Sequence, residues 1–279
     1  MRRQHSSWVP DARTIRAFRR TIGDFYRTHG RAMPWRETAD PYCIIVSEIM
    51  LQQTQVERVR DKYLAFMKAF PDFRTLSAAP LQEVLTLWQG LGYNRRAIAL
   101  KHIAETVVES YDGKAPASVE RLRMLPGIGH ATASSIAAFA FNMPTVFIET
   151  NIRRVFLHRF FEDREGVHDD ELLPIIAATL DRKNPRRWYY ALMDYGADLK
   201  RRVPNPNRKS RHYARQSRFE GSTRQKRGQV LKFILAHTNA TPGTIAKALN
   251  LPGQETMQIL HQLLAEGFLI KSGRYFGVV

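Results

Sequence analysis

Leu125-Pro126-Gly127-Ile128-Gly129-His130-Ala131-Thr132-Ala133 sets two glycines in a tight turn, directly before an Ala- and Ser-rich helix expected from Thr132 to Ala140. The preceding run, Val119 to Leu125, has apolar residues at Val119, Leu122, Met124 and Leu125, as a short helix would. Helix, Pro-Gly-Ile-Gly turn, helix is a helix-hairpin-helix. Glycine lets the backbone turn sharply with no Cβ in the way, and the turn leaves amide N–H groups at a helix N-terminus, where a phosphate can sit. Such a hairpin grips a nucleic-acid backbone without reading its sequence. Gly127, Gly129, His130 and Thr132 are the candidate contacts. Taken alone, the turn also suits two ordinarily packed helices. A second candidate is Glu48, set among Ile44, Ile45, Val46, Ile49 and Met50. Partial burial there raises a carboxyl pKa and lets it hold a proton near neutral pH, as a general acid must. The alternative is a glutamate facing solvent from an otherwise buried helix.

These residues must be held by helices. Ala12 to Thr28 has Ile15, Phe18, Ile22, Phe25 and Tyr26 three to four apart, and Pro34-Trp35-Arg36 closes that segment. Further helices are expected over Pro41 to Gln55, Val56 to Phe70, Leu81 to Gly90 and Asn94 to Tyr111. After the hairpin come Asn151 to Phe161, Leu172 to Leu180 and Trp188 to Tyr195. Long period-2 apolar runs are absent, so this part reads as all-α. Val203 to Ser222 breaks the periodicity with Pro204-Asn205-Pro206-Asn207 and dense arginines, as a connector does. Arg224 to His237, a helix opened by Thr241-Pro242, and Gln254 to Glu266 follow. Phe268 to Val279 then reads as strand, Ser-Gly turn, strand. Three helices and a terminal hairpin make a small winged-helix module, suited to DNA contact or protein contact.

Composition narrows the function classes. The chain has 279 residues, 44% of them hydrophobic, enough for one large or two modest domains with real cores. No apolar run is long enough to span a bilayer and the N-terminus lacks a secretory pattern, so a soluble cytoplasmic, nucleoid-associated protein without membrane contact is expected. A single cysteine, Cys43, excludes an intramolecular disulfide and any four-cysteine site within the chain. The net charge is +17, and from Lys200 to Lys232 twelve Lys and Arg face one acid, Glu220. Phosphate is the expected target, with Arg208, Lys209, Arg211 and Arg215 as contacts; a merely solvated basic loop is the alternative.

Pro34-Trp35-Arg36, Ser47 to Gln55, Gly90-Leu91-Gly92-Tyr93, the hairpin, and Glu149-Thr150-Asn151-Ile152-Arg153-Arg154-Val155 stand in this order over roughly residues 30 to 200. The series resembles the helix-hairpin-helix DNA glycosylases, closest to the MutY-type adenine-mismatch enzymes, with endonuclease III as the next relative. The resemblance implies a two-lobed, all-helical glycosylase domain that flips one nucleotide out of duplex DNA. Under it, Glu48 matches the catalytic glutamate that protonates the departing base, Asn151 an asparagine near the active site, and Arg36 an arginine on the base side. Gln52, Gln53 and Tyr93 match the positions that fill the hole left by a flipped base and wedge beside its partner, offsetting part of the unstacking cost. For the glutamines the alternative is an exposed polar patch on a helix. For Tyr93 it is a core tyrosine capping the Gly90/Gly92 turn.

The chain departs from that family at several points. Glu149 stands where both relatives carry an aspartate that supports the sugar cation and incoming nucleophile. The charge is kept, but one methylene moves it by about a bond length, and errors of about 1 Å can cost on the order of a hundredfold. Either the pocket is recut around Glu149, or the enzyme is slow, or it is not catalytic. Ala131 replaces the lysine that forms a Schiff base in strand-cleaving relatives, which implies water as nucleophile and base release without strand cleavage; Lys101 and Lys114 remain as possible substitutes. Lys200, Asn207 and Ser210 stand where cluster thiolates would lie, so no iron–sulfur cluster and no other cofactor is expected. The final ~55 residues do not match the domain that inspects 8-oxoguanine.

The expected fold is therefore mainly α, with a glycosylase domain over 1–202, a basic connector over 203–223 and a winged helix with its β-hairpin over 224–279. The expected function is a monomeric, monofunctional DNA glycosylase acting on duplex DNA with a mispaired or damaged base. Adenine or another purine comes first, a deaminated or oxidised base next. The rival is a non-catalytic sensor of distorted DNA whose winged helix recruits partners.

Overall fold

A computed structural model describes residues 8–214, 218–237 and 240–279. In chain order, α1 (Ala12–His29) is followed by a 3-10 turn (Pro34–Arg36), α2 (Pro41–Leu51), α3 (Val56–Ala69), α4 (Phe73–Ala78), α5 (Leu81–Trp88) and α6 (Arg95–Tyr111). Next come α7 (Val119–Leu122), α8 (His130–Phe141), α9 (Thr150–Phe160), α10 (Asp169–Thr179), α11 (Pro185–Arg202) and a 3-10 turn (Pro206–Lys209). The chain closes with α12 (Thr223–Ala236), α13 (Pro242–Leu249), α14 (Gly253–Ala265), β1 (Leu269–Ser272) and β2 (Tyr275–Val278). The fold is mainly helical, as expected. Among the described residues no helix is long and apolar enough to cross a membrane.

Most helix starts follow capping chemistry. Asp11, Asp72, Ser118, Asn184, Ser222 and Thr241 each accept a backbone N–H in the first turn of the helix they precede. Asp72 thereby starts α4, a six-residue helix missing from the sequence expectations, whose Phe73 and Leu76 are buried. Three apolar residues in six are too few to show a period. Other boundaries move as well. α2 stops at Leu51 rather than Gln55, because Gln53 takes a left-handed φ of 53° that a helix cannot continue through. Accordingly Gln52 and Gln53 lie in a turn, not on a helix face. α11 runs to Arg202, well past Tyr195, so Lys200 is helical.

The described chain forms two compact units interleaved in sequence. The first takes the described residues of Met1–Ile44, Ala117–Met124 and Ile128–Arg215. Its core is aromatic: Phe18 meets Phe156, Phe160 and Trp188 edge-on, and Phe139 stacks on Tyr190 at 4.5 Å. The second takes Ile45–Pro116, Leu125–Gly127 and the described residues of Gln216–Val279. Here Val59, Phe66, Leu76, Val84, Trp88, Leu100 and Ile103 are fully buried. The C-terminal segment shares this unit. Its α12 and α14 pack on a two-stranded antiparallel sheet in the register Leu269↔Val278 to Ser272↔Tyr275, with Phe276 joined to Ala240 by an isolated bridge, and α13 packs on α12 and α14. Three helices and a terminal antiparallel hairpin thus follow one another in the order expected from the sequence.

Candidate active site

In the second unit, Glu48 is the sole carboxylate of α2 and is half-buried, while Ile45, Val46, Ser47, Ile49 and Met50 around it are buried. An apolar setting with one acid is what a proton donor needs. The turn beyond it is held by a residue that motif reading passed over. Arg96, only 8% exposed, sends Nη1 to the carbonyls of Ile49 (2.9 Å), Met50 (2.8 Å) and Gln52 (2.6 Å). Its Nη2 donates to Leu91 (3.2 Å) and Gly92 (2.8 Å) carbonyls. Helix C-termini leave carbonyls without intrahelical partners, and one planar guanidinium collects them. Burial pulls the Arg96 pKa down to about 10, which still leaves it charged at neutral pH.

The same cation fixes the Gly90–Tyr93 loop, whose Gly92 carbonyl also accepts Trp88 Nε1 at 3.1 Å. Tyr93 is therefore not a core residue. It has a left-handed φ of 48° and 36% exposure, and its ring carries the Arg96 guanidinium 5.5 Å from its centroid. A bulky side chain at positive φ is a backbone outlier of the kind that concentrates at functional sites. Lys101 donates to the Ser77 carbonyl at 2.9 Å and pairs with Glu105 at 2.9 Å, and Lys114 is exposed.

The hairpin forms as expected between α7 and α8. Gly127 has φ 73°, and a Cβ there would meet Ala99 Cβ at 3.0 Å, so both conformation and packing against α6 favour glycine. Gly129 is the N-cap of α8 at an ordinary φ of −81°, with no protein atom within 4 Å of a built Cβ. Nothing in the fold itself asks for glycine there. His130 and Ala131 are exposed and Thr132 half-exposed in the first turn.

In the first unit, Glu149 is the N-cap of α9. Its Oε1 accepts the Asn151 and Ile152 N–H groups, both at 2.8 Å, and Oε2 takes a longer 3.3 Å bond from Asn151 Nδ2. One oxygen thus caps the helix while Oε2 makes only the longer bond. Desolvation raises the Glu149 pKa above the ordinary 4.5, against the two backbone bonds and the charges of Arg154 and Arg153. Asn151 is fixed in turn: its Oδ1 accepts Arg154 Nη1 at 2.7 Å, and that nitrogen also reaches the Gly196 carbonyl at 2.7 Å. A Cβ at Gly196 would fall 2.5 Å from the Asn151 carbonyl oxygen, so α11 can approach α9 only with glycine there.

Arg36 is locked elsewhere. Nη1 and Nη2 meet the Asp194 oxygens at 2.8 and 2.9 Å, and its guanidinium lies 4.5 Å from the Tyr190 centroid. Burial alone would raise the Asp194 pKa; Arg36 and Arg31 hold it below 3.8. Within the first unit the Arg36 guanidinium is thus bound to α11.

The described part of the basic connector carries the 3-10 turn Pro206–Lys209. Asn207 and Ser210, where cluster ligands would stand, are buried, and Asn207 Nδ2 donates to the Thr150 carbonyl at 3.1 Å, beside Glu149. Val167 and Arg211 N–H groups pair with Lys209 and Val167 carbonyls, both at 2.9 Å. Neither Asn207 nor Ser210 can ligate iron as a thiolate; Asn207 braces α9, and Ser210 forms a bridge with Val167. Arg208 and Arg211 are exposed, and the Lys209 ammonium donates to the Glu162 carbonyl. Arg215 lies outside the described residues.

Comparison with known proteins agrees with this picture. Residues 46–172 match the model of the HhH-GPD superfamily base excision DNA repair proteins. The chain is 37% identical over 186 residues to an adenine DNA glycosylase of Buchnera aphidicola subsp. Baizongia pistaciae, covering 66% of this chain and 53% of that protein. It is 33% identical over 261 residues to an adenine DNA glycosylase of Mycolicibacterium smegmatis, covering 86% of this chain and 88% of that one. Among solved structures, a thermostable thymine-DNA glycosylase superposes with a TM-score of 0.61 at 28% identity, covering 66% of this chain and 87% of that one. The chain spans about half, or less, of the length of the first curated relatives it matches.

Proposed function

The chain belongs to the HhH-GPD superfamily of base excision DNA repair proteins, and on that premise we propose that it is a monofunctional DNA N-glycosylase. Its substrate is duplex DNA carrying a mispaired or damaged base, adenine or another purine first. The observation that carries the reading is the pair of carboxylate settings at the positions matched to the family's acid and cation stabiliser. Glu48 is the one carboxylate of a largely apolar helix, and Glu149 is held by two backbone N–H groups, its Oε2 making a longer bond.

In the reaction the C1′–N bond of a flipped nucleotide breaks as Glu48 gives its proton to the departing base. Water bonds to C1′, and its proton returns to a carboxylate. Glu149, ionised, supports the developing positive charge on the sugar. The exposed Ala131 offers no amine for a Schiff base, and Lys101 is tied to Ser77 and Glu105, which supports release of the base without strand cleavage. The hairpin and the exposed Arg208 and Arg211 hold phosphates. Tyr93, Gln52 and Gln53 enter the duplex. No iron–sulfur cluster takes part, because one cysteine cannot supply four thiolates; iron and sulfide analysis of the purified protein tests that.

A second reading within the class follows from the thymine-DNA glycosylase likeness: a deaminated or mispaired pyrimidine is the substrate. Labelled duplexes bearing adenine opposite guanine or 8-oxoguanine, and thymine or uracil opposite guanine, separate the two. Strand breaks that arise only after hot alkali establish base release, and the duplex cut names the base. Inertness on all of them, with retained binding, would favour a non-catalytic sensor.

A further inference from the structure

The C-terminal segment holds the loop that carries Tyr93. Arg224, in the first turn of α12, donates from Nη1 to the Tyr93 hydroxyl at 2.9 Å, and its guanidinium carbon lies 5.9 Å from the ring centroid. A second link runs alongside. Glu266, just past α14, takes Arg95 with both oxygens at 2.8 Å and Arg227 of α12 at 2.6 Å. Arg95 opens α6 two residues after Tyr93. The hydrogen bond from Arg95 is the main reason that the Glu266 carboxyl sits below its ordinary range. α12 is itself well founded, with Val230, Leu231 and Ile234 buried and Ser222 capping its first turn.

Tyr93 needs such support. Its backbone is in the left-handed region and its ring is substantially exposed, so core packing does not fix the ring angle. Outlier backbones persist where surrounding structure over-determines them. Arg96 supplies one side of that support from within α6, and Arg224 supplies the other from a segment 131 residues distant in sequence.

We propose that α12 and the end of α14 form a platform for the Tyr93 wedge, with Arg224 as the positioning residue that sets the ring against the base stack. Through it the C-terminal segment takes part in telling a damaged pair from an intact one. This rests on the reading of Tyr93 as a residue that enters duplex DNA. It gives the winged helix a role in the site itself, beyond recruiting partners or adding phosphate contacts.

The test uses the full chain and variants R224A, R224K, Y93F and R224A/Y93F. The probe is a duplex with 2-aminopurine beside a tetrahydrofuran abasic analogue, whose fluorescence reports unstacking and needs no excision. Affinity for this duplex and for its intact counterpart is measured at several salt concentrations. R224A and Y93F should each lower the preference for the damaged duplex by about tenfold, the scale of one charge-assisted hydrogen bond, and lower the fluorescence rise. The double variant should do no worse than either single one, and R224K, which keeps a donor, should recover part of the loss. Additive effects would overturn the proposal. So would equal weakening on both duplexes with a reduced salt slope, which marks Arg224 as a phosphate contact only. Because the probe is not cleaved, a protein inert on every lesion could still show the coupling, and an active one could lack it.

Discussion

The guanidinium of Arg96 donates to the carbonyl oxygen of Gln52 across 2.6 Å, tying the start of α6 to the turn that ends α2. With its bonds to Ile49, Met50, Leu91 and Gly92 it fixes the Glu48 helix and the Tyr93 loop from one buried point. Arg96→Met should cost about 3 kcal/mol of stability, since buried carbonyls lose their donors. Arg96→Lys should recover less than half of that, an ammonium lacking the planar fork. Urea unfolding measures both; a Met variant as stable as wild type would show that water replaces the cation at no cost.

Glu149 separates the catalytic and non-catalytic readings. Glu149→Gln removes the charge and should slow single-turnover excision by about two to three orders of magnitude. Glu149→Asp keeps both charge and capping ability but shortens the reach, and should fall between. Equal rates for Gln and wild type would place Glu149 outside the reaction, and a faster Asp variant would mark the natural glutamate as a degenerate site.

The raised Glu149 pKa adds opposite signs for activity and stability. Activity needs the ionised form, so the excision rate should fall as pH drops through a value above 4.5. The stability contribution of a raised carboxyl is fully present below its unfolded pKa and is lost as pH rises through the folded one. Glu149→Gln should therefore match or exceed wild type in Tm at pH 8 while losing activity. A clear fall in Tm at that pH would contradict this.

Asp194 behaves the other way. Its folded pKa lies below 3.8, so its contribution is present above the unfolded value and disappears as pH falls through the folded one. Asp194→Asn leaves Arg36 buried without its partner and should cost about 3–5 kcal/mol at pH 7. That gap should narrow in acid, as read from unfolding at several pH values. A constant gap would mean that the loss is one of shape rather than charge.

DNA affinity should fall steeply with salt. Replacing both Arg208 and Arg211 by Ala should lower the log–log slope by about two units. An unchanged slope would remove the connector from the phosphate-binding surface.

Much of this was legible in the sequence because it is local. The hairpin lies within nine residues, the helical periods are strong, and Glu48 is conspicuous among isoleucines. What escaped depends on distant partners or on single dihedral angles. Arg96 looks like any surface arginine until α2 brings its carbonyls to it, and the end of α2 hangs on the φ of Gln53. Glu149 reads as a carboxylate next to a helix, but its two N–H bonds appear only once α9 begins at Thr150. Asn207 and Ser210 sit in a basic, proline-broken stretch that reads as solvated, yet both are buried, Asn207 against the start of α9. The bond between Arg224 and Tyr93 has no sequence signal at all.

The most direct test is single-turnover base release by wild type and Glu48→Gln on the lesion duplex that wild type cuts, each aliquot split and read with and without hot alkali. Wild type should yield strand breaks only in the alkali-treated half, and Glu48→Gln should bind the duplex with little change yet release base slower by at least about a hundredfold, the scale of general-acid catalysis. Excision by Glu48→Gln within about threefold of wild type, far short of that contribution, would contradict the assignment of Glu48 as proton donor. Strand breaks without alkali would contradict hydrolysis by water.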